Sequence, residues 1–277
     1  MKVFVVISIA LQLSVAATPS ADSTWLLIDD FESKTLTKWQ LADTDNQTKP
    51  RIENPQVTIL KADGSNHYLL KKPAADGIIG NRKALTFKAL PQAVAVGKTY
   101  TFYTRLLVEK FPNNHAFGLS NLGPDGIKQN GYNAFEPILR VTDKAESNGF
   151  KNDGTLMVKV DSDDKYRQYH NVKNVNTNES AEPMMPGTWY QVWYVVNNSA
   201  AAKGGQTYDV FVQGGEFTEQ TQVYRQADFR MKREAPLIYF LANCNTGPVK
   251  KPYGNGGLAY DDIYMAEGIN LSNPTMQ

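Results

Sequence analysis

Short runs of β-branched and aromatic residues recur along the chain, separated by clusters of Gly, Asn, Asp and Pro. Within each run the apolar positions repeat every second residue, which is typical of β-strands with one face in a core. The longest predicted strands are 99–108, 134–141, 155–160, 166–172, 188–196, 207–213, 236–244 and 257–265, with shorter ones at 56–59, 68–71 and 84–87. Helical periodicity is scarce, so the pattern predicts an all-β protein, a two-sheet antiparallel β-sandwich.

The same alternation sorts the two faces of each predicted strand. One face is rich in aliphatic residues and is expected to form the core. The other mixes aromatic rings with Arg, Gln and Asn, namely Tyr103, Arg105, Gln191, Trp193, Tyr239 and Asn243. Rings stack on sugars, and guanidinium and amide groups bind hydroxyls and carboxylates. This face is therefore a candidate carbohydrate-binding surface, or else ordinary packing beneath long loops.

The first residues have the pattern of a secretory signal peptide. Lys2 supplies a positive charge, residues 3–15 form an apolar run, and small residues at 15–17 predict cleavage after Ala17. The run is shorter than the roughly 20 apolar residues of a membrane span. We therefore predict a signal peptide over 1–17, one domain over 22–270, a secreted or periplasmic location and no membrane span.

Charge and cysteine content narrow the classes of partner. The net charge is +1 and the isoelectric point about 7.7, so no general attraction to nucleic acid is expected. Cys244 is the only cysteine, and its apolar surroundings in the sequence favour a buried residue over a nucleophile. We expect a monomer that is stabilised by its core rather than by disulfides.

Paired aspartates stand near both ends of the predicted domain. Asp29 and Asp30 follow a short apolar segment, and Asp261 and Asp262 lie within the last predicted strand. The simplest interpretation is that the two segments are neighbouring strands. The four carboxylates are candidate ligands for a structural Ca²⁺, which takes 6–8 oxygen ligands. Alternatively, some of them cap strand ends while the others face solvent.

These two end segments carry a family resemblance. Residues 28–32 read IDDFE with Trp39 close behind, and residues 261–264 read DDIY. This pattern resembles the concanavalin A-like jelly-roll domains of bacterial proteins that bind or cut polysaccharides. The resemblance implies a jelly-roll fold and a carbohydrate ligand.

A second resemblance concerns catalysis. Gln168-Tyr169-His170 is similar to the Gln-x-His strand motif of jelly-roll alginate lyases, in which an arginine-bearing strand precedes and a tyrosine-bearing strand follows. Arg105 and Tyr239 stand in that order here. The resemblance implies His170 as base, Tyr239 as base or acid, and Arg105 or Gln168 as the group that binds the substrate carboxylate. Further candidate substrate-binding residues are Asn243, Trp193, Tyr103, Arg140 and His115, with His115 as an alternative base.

These observations favour one function and leave others open. The chain lacks the Glu-x-Asp-x-x-Glu pattern of retaining jelly-roll glycoside hydrolases. We expect an exported polysaccharide lyase that cleaves a uronate-containing acidic polysaccharide, such as an alginate-, ulvan- or glucuronan-like polymer, by β-elimination. Its catalytic residues are then expected to converge on one concave sheet surface. The alternatives are a non-catalytic, lectin-like carbohydrate-binding protein and a structural domain of the cell envelope without a glycan site.

Overall fold

The computed structural model describes residues 24–52, 56–146, 149–161 and 168–276, except for the side chains of residues 44 and 45. The predicted signal peptide, 1–17, lies outside the described residues. The described strands are β1 (Leu26–Asp29), β2 (Gln40–Asn46), β3 (Val57–Asp63), β4 (Asn66–Lys72), β5 (Arg82–Val94), β6 (Thr99–Val108), β7 (Asn114–Ser120), β8 (Ile138–Thr142), β9 (Leu156–Lys159), β10 (Tyr169–Asn171), β11 (Trp189–Asn197), β12 (Thr207–Gly214), β13 (Phe217–Asp228), β14 (Leu237–Asn245) and β15 (Leu258–Glu267). A helix, α1 (Pro124–Asn130), runs into the 3₁₀ turn Gly131–Ala134, and further 3₁₀ turns span Ala201–Lys203 and Pro274–Met276.

These strands form two antiparallel sheets. Sheet A has the order β13-β12-β11-β6-β15-β4-β3, with β1 paired to β15. Sheet B has the order β10-β9-β8-β7-β14-β5-β2. The pairing of Leu26 with Met265 confirms that the two aspartate-bearing end segments are neighbouring strands. The predicted all-β, two-sheet sandwich is confirmed.

The core lies between the sheets, as the alternation predicts. In β6, Tyr100, Phe102, Leu106 and Val108 all belong to the central cluster of buried side chains. The Phe102 ring stacks on Tyr194 of β11 with centroids 5.3 Å apart. Phe240 of β14 enters the same cluster from sheet B. The intervening residues of each strand therefore point to the outer faces of the sandwich.

Several elements differ from the sequence prediction. Strands β2, β7 and β13 were not predicted: β7 opens with Asn114-His115 and β13 is largely polar, so neither shows a clean apolar alternation. The predicted strand 134–141 begins later, at Ile138, because α1 and its 3₁₀ turn occupy 124–134. No helix in the described part of the chain combines the length and apolar character needed to cross a membrane.

The α1 segment decides which part of sheet B is open. Ile127, Ala134 and Phe135 pack on the outer face of this sheet against Leu85, Phe87, Ala116, Ile138 and Leu241. This second cluster covers one half of the outer face. The remaining half, where β7, β8, β9, β10 and β14 meet, carries polar and charged side chains.

Candidate functional site

The uncovered half of sheet B contains a cavity of about 350 Å³, within the range of ligand-binding pockets. Asn243, Ala116 and Arg140 form a cross-strand row through β14, β7 and β8 along its floor. The full lining comprises Lys83, Asn114, His115, Ala116, Tyr132, Asn133, Arg140, Lys144, Glu146, Lys159, Tyr169, Asn243, Asn245 and Tyr253. Four of these side chains are Lys or Arg and one is Glu, so the cavity suits an anionic ligand.

Lys159 and Tyr169 form a cross-strand pair at one wall of the cavity. The Lys159 Nζ donates a hydrogen bond to the Tyr169 hydroxyl at 3.1 Å. Lys159 is 8% exposed, and burial, together with the positive charges of Arg230 and Arg140, lowers its pKa to about 7. Burial raises the pKa of Tyr169. Near neutral pH the pair therefore consists of a lysine that is partly neutral and a protonated phenol.

Arg140 and Lys144 share one buried carboxylate. Glu146 accepts a hydrogen bond from Arg140 Nη1 at 2.6 Å and pairs with Lys144. Arg140 Nη2 also donates to the Asn114 side chain at 3.1 Å. The two cations lower the pKa of Glu146 although burial opposes this change. The arrangement holds two positive groups in place beside the cavity and leaves one of their charges uncompensated by Glu146.

Several residues that line the cavity have buried polar atoms without a hydrogen-bond partner among the described residues, and two of these atoms are oxygens. The Asn243 Oδ1 and the Tyr132 hydroxyl are both buried, and neither makes a hydrogen bond among the described residues. The Tyr132 ring lies beneath two cations, with Lys159 Nζ 5.2 Å and the Arg230 guanidinium 4.8 Å from its centroid. Because buried polar groups are normally hydrogen-bonded, these two atoms point to a ligand with hydroxyl groups, which can donate to Asn243 Oδ1 and accept from the Tyr132 hydroxyl.

Arg105 lies on the opposite side of the molecule from this cavity. Its strand, β6, belongs to sheet A, where its guanidinium pairs with Asp261 and Asp262 and lies 5.0 Å from the Trp189 ring. The predicted convergence of Arg105 with the sheet B residues is therefore wrong. The reason is that the alternation of apolar and polar residues shows which side chains point away from the core. It does not show to which of the two sheets a strand belongs.

Trp193 and Tyr103 also lie on the outer face of sheet A, as cross-strand partners. Both are almost fully buried, because the C-terminal segment crosses over them. Trp193 Nε1 donates to the Ser272 carbonyl at 3.0 Å. These two rings therefore have no exposed surface that a substrate could contact, contrary to their predicted role in binding.

His170 and Tyr239 do not meet. The His170 ring contacts the Tyr224 hydroxyl of β13, at the edge where the two sheets approach each other. Tyr239 packs against Phe87 with ring centroids 5.7 Å apart, outside the cavity lining. Four strand spacings of roughly 4.8 Å separate β10 from β14, about 19 Å in all. The two side chains therefore cannot act as base and acid on one carbon.

His115 does not replace them as a base. Although it is among the residues that line the cavity, it pairs with Cys244 and Val141 on the core-facing side of β7 and is 1% exposed. Its Nε2–H donates to the Gly256 carbonyl at 2.8 Å, and burial lowers its pKa to about 3. Of the other predicted residues, Arg140 and Asn243 line the cavity, and Gln168 lies beside a smaller neighbouring one.

The four aspartates do not fit a calcium site. The carboxylate of Asp29 pairs with Lys88 and accepts a hydrogen bond from Trp39 Nε1 at 2.7 Å. Asp261 and Asp262 both face the Arg105 guanidinium. Protein cations thus face three of the four carboxylates, whereas Asp30 Oδ1 accepts a hydrogen bond from the Glu32 amide at 3.1 Å. No three His, Cys, Asp or Glu side chains in the described ranges are grouped to hold a metal.

The sequence prediction missed Lys159, Tyr169 and Tyr132. Tyr169 is the central residue of the Gln-Tyr-His motif and is its member that lines the main cavity, whereas His170 lies on the other face of β10. A signal for Lys159 was present, since it is the single charged residue of the predicted strand 155–160. Tyr132 lies in a 3₁₀ turn that the strand pattern does not reveal.

Comparisons with known proteins establish the fold. No protein-family model matches the chain, and no curated protein sequence matches it. The exoplasmic/lumenal domain of VIP36, in its Ca²⁺/Man3GlcNAc-bound form, is 11% identical, with a TM-score of 0.50 over 90% of this chain and 92% of that domain. The marine PL-14 alginate lyase from Aplysia kurodai is 13% identical, with a TM-score of 0.50 over 76% of this chain and 87% of that one. The predicted concanavalin A-like β-sandwich is therefore confirmed.

Proposed function

We propose that the protein is a polysaccharide lyase that cleaves a uronate-containing acidic polysaccharide by β-elimination in the sheet B cavity. The observation that carries this proposal is the hydrogen-bonded pair of Lys159 and Tyr169, which borders a cavity rich in positive charge. An amine with a pKa of about 7 beside a protonated phenol supplies the base and the acid that such an elimination requires.

The first requirement of the reaction is to make the C5 proton of the uronate acidic. Arg140 and Lys144 are held at the cavity by Glu146, and a substrate carboxylate placed between them is neutralised. The unpartnered Asn243 Oδ1 lies on the same floor and is placed to accept a hydrogen bond from a sugar hydroxyl. Arg140 and Lys144 stabilise the negative charge that develops on the carboxylate when the proton leaves.

The proton transfers then use one residue pair. The neutral Lys159 amine takes the C5 proton, the C5–H electron pair forms the C4=C5 double bond, and the C4–O4 bond breaks. Tyr169 donates its phenolic proton to the departing O4. The Lys159 ammonium returns a proton to the Tyr169 phenolate through their 3.1 Å hydrogen bond, which restores both residues.

The fold and the N-terminal sequence also support this proposal. The marine PL-14 alginate lyase from Aplysia kurodai has a similar sandwich fold. The sequence pattern of residues 1–17 predicts export, which an enzyme acting on an extracellular polymer needs.

A lectin-like function at the same cavity is the second candidate. The buried, unpartnered atoms of Asn243 and Tyr132 are suited to hold sugar hydroxyls whether or not a bond is cleaved. In that case the protein binds an acidic glycan and releases it unchanged.

One assay separates the two functions. Purified protein is incubated with alginate, ulvan, glucuronan and pectin, while the ultraviolet absorbance of the unsaturated uronate is followed and products are analysed by mass spectrometry. We expect unsaturated oligosaccharides from at least one polymer. Retention of a polymer without any product supports the lectin-like function instead, and neither binding nor product on all four contradicts both.

A further inference from the structure

A second, smaller cavity adjoins the first at Lys159. It measures about 180 Å³ and is lined by Lys159, Val160, Asp161, Gln168, Arg230 and Met231. Lys159 is common to both linings, so its side chain stands between the two spaces. A chain bound with its reacting sugar at Lys159 therefore has room to continue on the far side.

Arg230 supplies a guanidinium group to the second cavity, whose lining also includes the Asp161 carboxylate. Its guanidinium is held by the Tyr132 carbonyl at 3.1 Å and the Asn133 side chain at 2.6 Å, and it stacks on the Tyr132 ring. Its Nε is buried without a hydrogen-bond partner. No described carboxylate lies within 4.0 Å of Arg230, whereas the nearby Asp161 faces Lys232 at 4.0 Å. Arg230 is thus a preorganised cation without an acidic partner among the described residues.

Arg230 helps to lower the pKa of Lys159, but neutralisation of the reacting carboxylate does not need a third cation. Only the carboxylate of the reacting sugar must be neutralised, and Arg140 with Lys144 already stand in the first cavity. We infer that the second cavity binds the carboxylate of the adjacent uronate, so that the substrate is a polymer of consecutive uronates, cut within such a run. This inference rests on the proposed lyase function and adds the repeat structure of the substrate.

A graded chemical change in the substrate tests it. The polyuronate that the native protein cleaves best is carboxyl-reduced at random, which turns a chosen fraction of its uronates into neutral sugars with the same linkage. If two adjacent carboxylates are required, kcat/KM falls with the square of the intact fraction f, to about a quarter at f = 0.5. If only the reacting carboxylate matters, it falls to about a half.

Two variants connect the result to Arg230. Arg230→Gln is expected to lower kcat/KM on the intact polymer about ten- to hundredfold, the range for loss of a hydrogen bond to a charged group. In this variant kcat/KM should fall in proportion to f rather than to the square of f. Arg225→Gln is the matched control, because Arg225 is exposed on β13 and lines neither cavity. We expect it to keep the native rate and the square dependence.

Substitutions at Met231 keep the test independent of folding. Met231 is 37% exposed and lines the second cavity, so it tolerates a change of side chain. Met231→Glu is expected to lower kcat/KM a few-fold and Met231→Lys to raise it by a similar factor, while the same changes at the exposed Met185 have no effect.

The outcomes are distinguishable. A linear dependence on f in an active native enzyme, or equal effects of Met231→Glu and Met231→Lys, overturns the second subsite and leaves the lyase function standing. No unsaturated product from any unreduced polyuronate overturns the lyase function, and this inference with it.

Discussion

At the scale of single residues, the chemistry of the cavity depends on the environment of Lys159. Burial and two neighbouring guanidinium groups disfavour its charged form, and Glu146 opposes them. The adjacent Tyr169 is driven the other way, since burial disfavours a phenolate. At neutral pH the lowered pKa of Lys159 suits it to accept a proton, and the raised pKa of Tyr169 keeps its phenol protonated and able to donate.

The pH dependence of the reaction follows from this environment. Only the neutral amine of Lys159 can accept a proton, and the amine is protonated below its pKa of about 7. We therefore expect kcat/KM to rise roughly tenfold per pH unit below pH 7 and to level off above it. Initial rates between pH 5 and pH 9 provide the measurement, and a rate that falls as pH rises through 7 excludes Lys159 as the base.

Glu146 is predicted to set where this rise occurs. Its carboxylate raises the pKa of Lys159, so Glu146→Gln should move the midpoint of the pH profile to lower pH. The exposed Glu179 provides a control, because Glu179→Gln removes the same charge outside the cavity. Circular dichroism confirms that both variants are folded. A midpoint that moves to higher pH, or not at all, would show that Glu146 only stabilises the loop.

At the scale of elements, β10 and the segment after it join the two sheets. The amides of Lys173 and Val175 donate to the carbonyls of Val223 and Gln222 in β13, at 3.1 and 3.0 Å. His170 meets Tyr224 of the same strand, with ring centroids 5.7 Å apart. This edge contact fixes β10 and so positions Tyr169, whose side chain points to the other face, at the cavity.

Removal of the edge contact should therefore affect stability more than chemistry. We expect Tyr224→Phe to lower the free energy of unfolding by about 1 kcal/mol, the typical worth of one hydrogen bond, and to keep kcat within about twofold. His170→Ala should likewise retain activity. Urea unfolding and initial rates measure both quantities. A hundredfold loss of kcat in His170→Ala without loss of stability would restore His170 as a catalytic residue.

The bounds of a strand could be predicted from the sequence where apolar and polar residues alternate regularly along it. Strand β6 was predicted with its observed bounds, and β11 and β14 within one residue at each end, since regular alternation marks a strand with one core face. The edge strand β13 was not predicted, because few of its side chains reach the core and it therefore shows no regular alternation.

The candidate site was predicted only in part, because it depends on contacts between distant segments. Arg140 and Asn243 were identified, yet Lys159 and Tyr169 become a pair only through the register of β9 with β10. The lowered pKa of Lys159 depends on its burial and on the charges of Arg230 and Arg140, which are far apart in sequence. No alternation pattern carries that information.

At the scale of the whole molecule, the two outer faces of the sandwich differ. The segment after β15 crosses sheet A and covers Trp25 and Trp193 through hydrogen bonds to Ser272. On sheet B, α1 covers only part of the face and leaves the cavity open. The sandwich therefore offers a carbohydrate-sized opening on sheet B, while the aromatic residues of sheet A serve as packing.

Deletion of residues 269–277 should expose the sheet A aromatics. Full exposure of one large apolar side chain costs about 1.5–3 kcal/mol, so we expect a loss of about 2 kcal/mol or more in the free energy of unfolding. Tryptophan fluorescence should shift to longer wavelength, while the specific activity of the folded fraction stays unchanged. An unchanged Tm together with lost activity would place a functional site on sheet A instead.

The central claim, that the cavity of sheet B eliminates across a uronate through Lys159, is tested most directly by one paired rate measurement. Lys159→Gln and Lys203→Gln lose the same charge, but Lys203 is exposed in a surface turn outside the cavity. On the best polyuronate substrate we expect Lys159→Gln to lower the rate of unsaturated product formation about 10²–10⁴-fold, the usual contribution of a catalytic base, with polymer binding retained, and Lys203→Gln to match the native protein. Equal rates for the two variants would contradict the account.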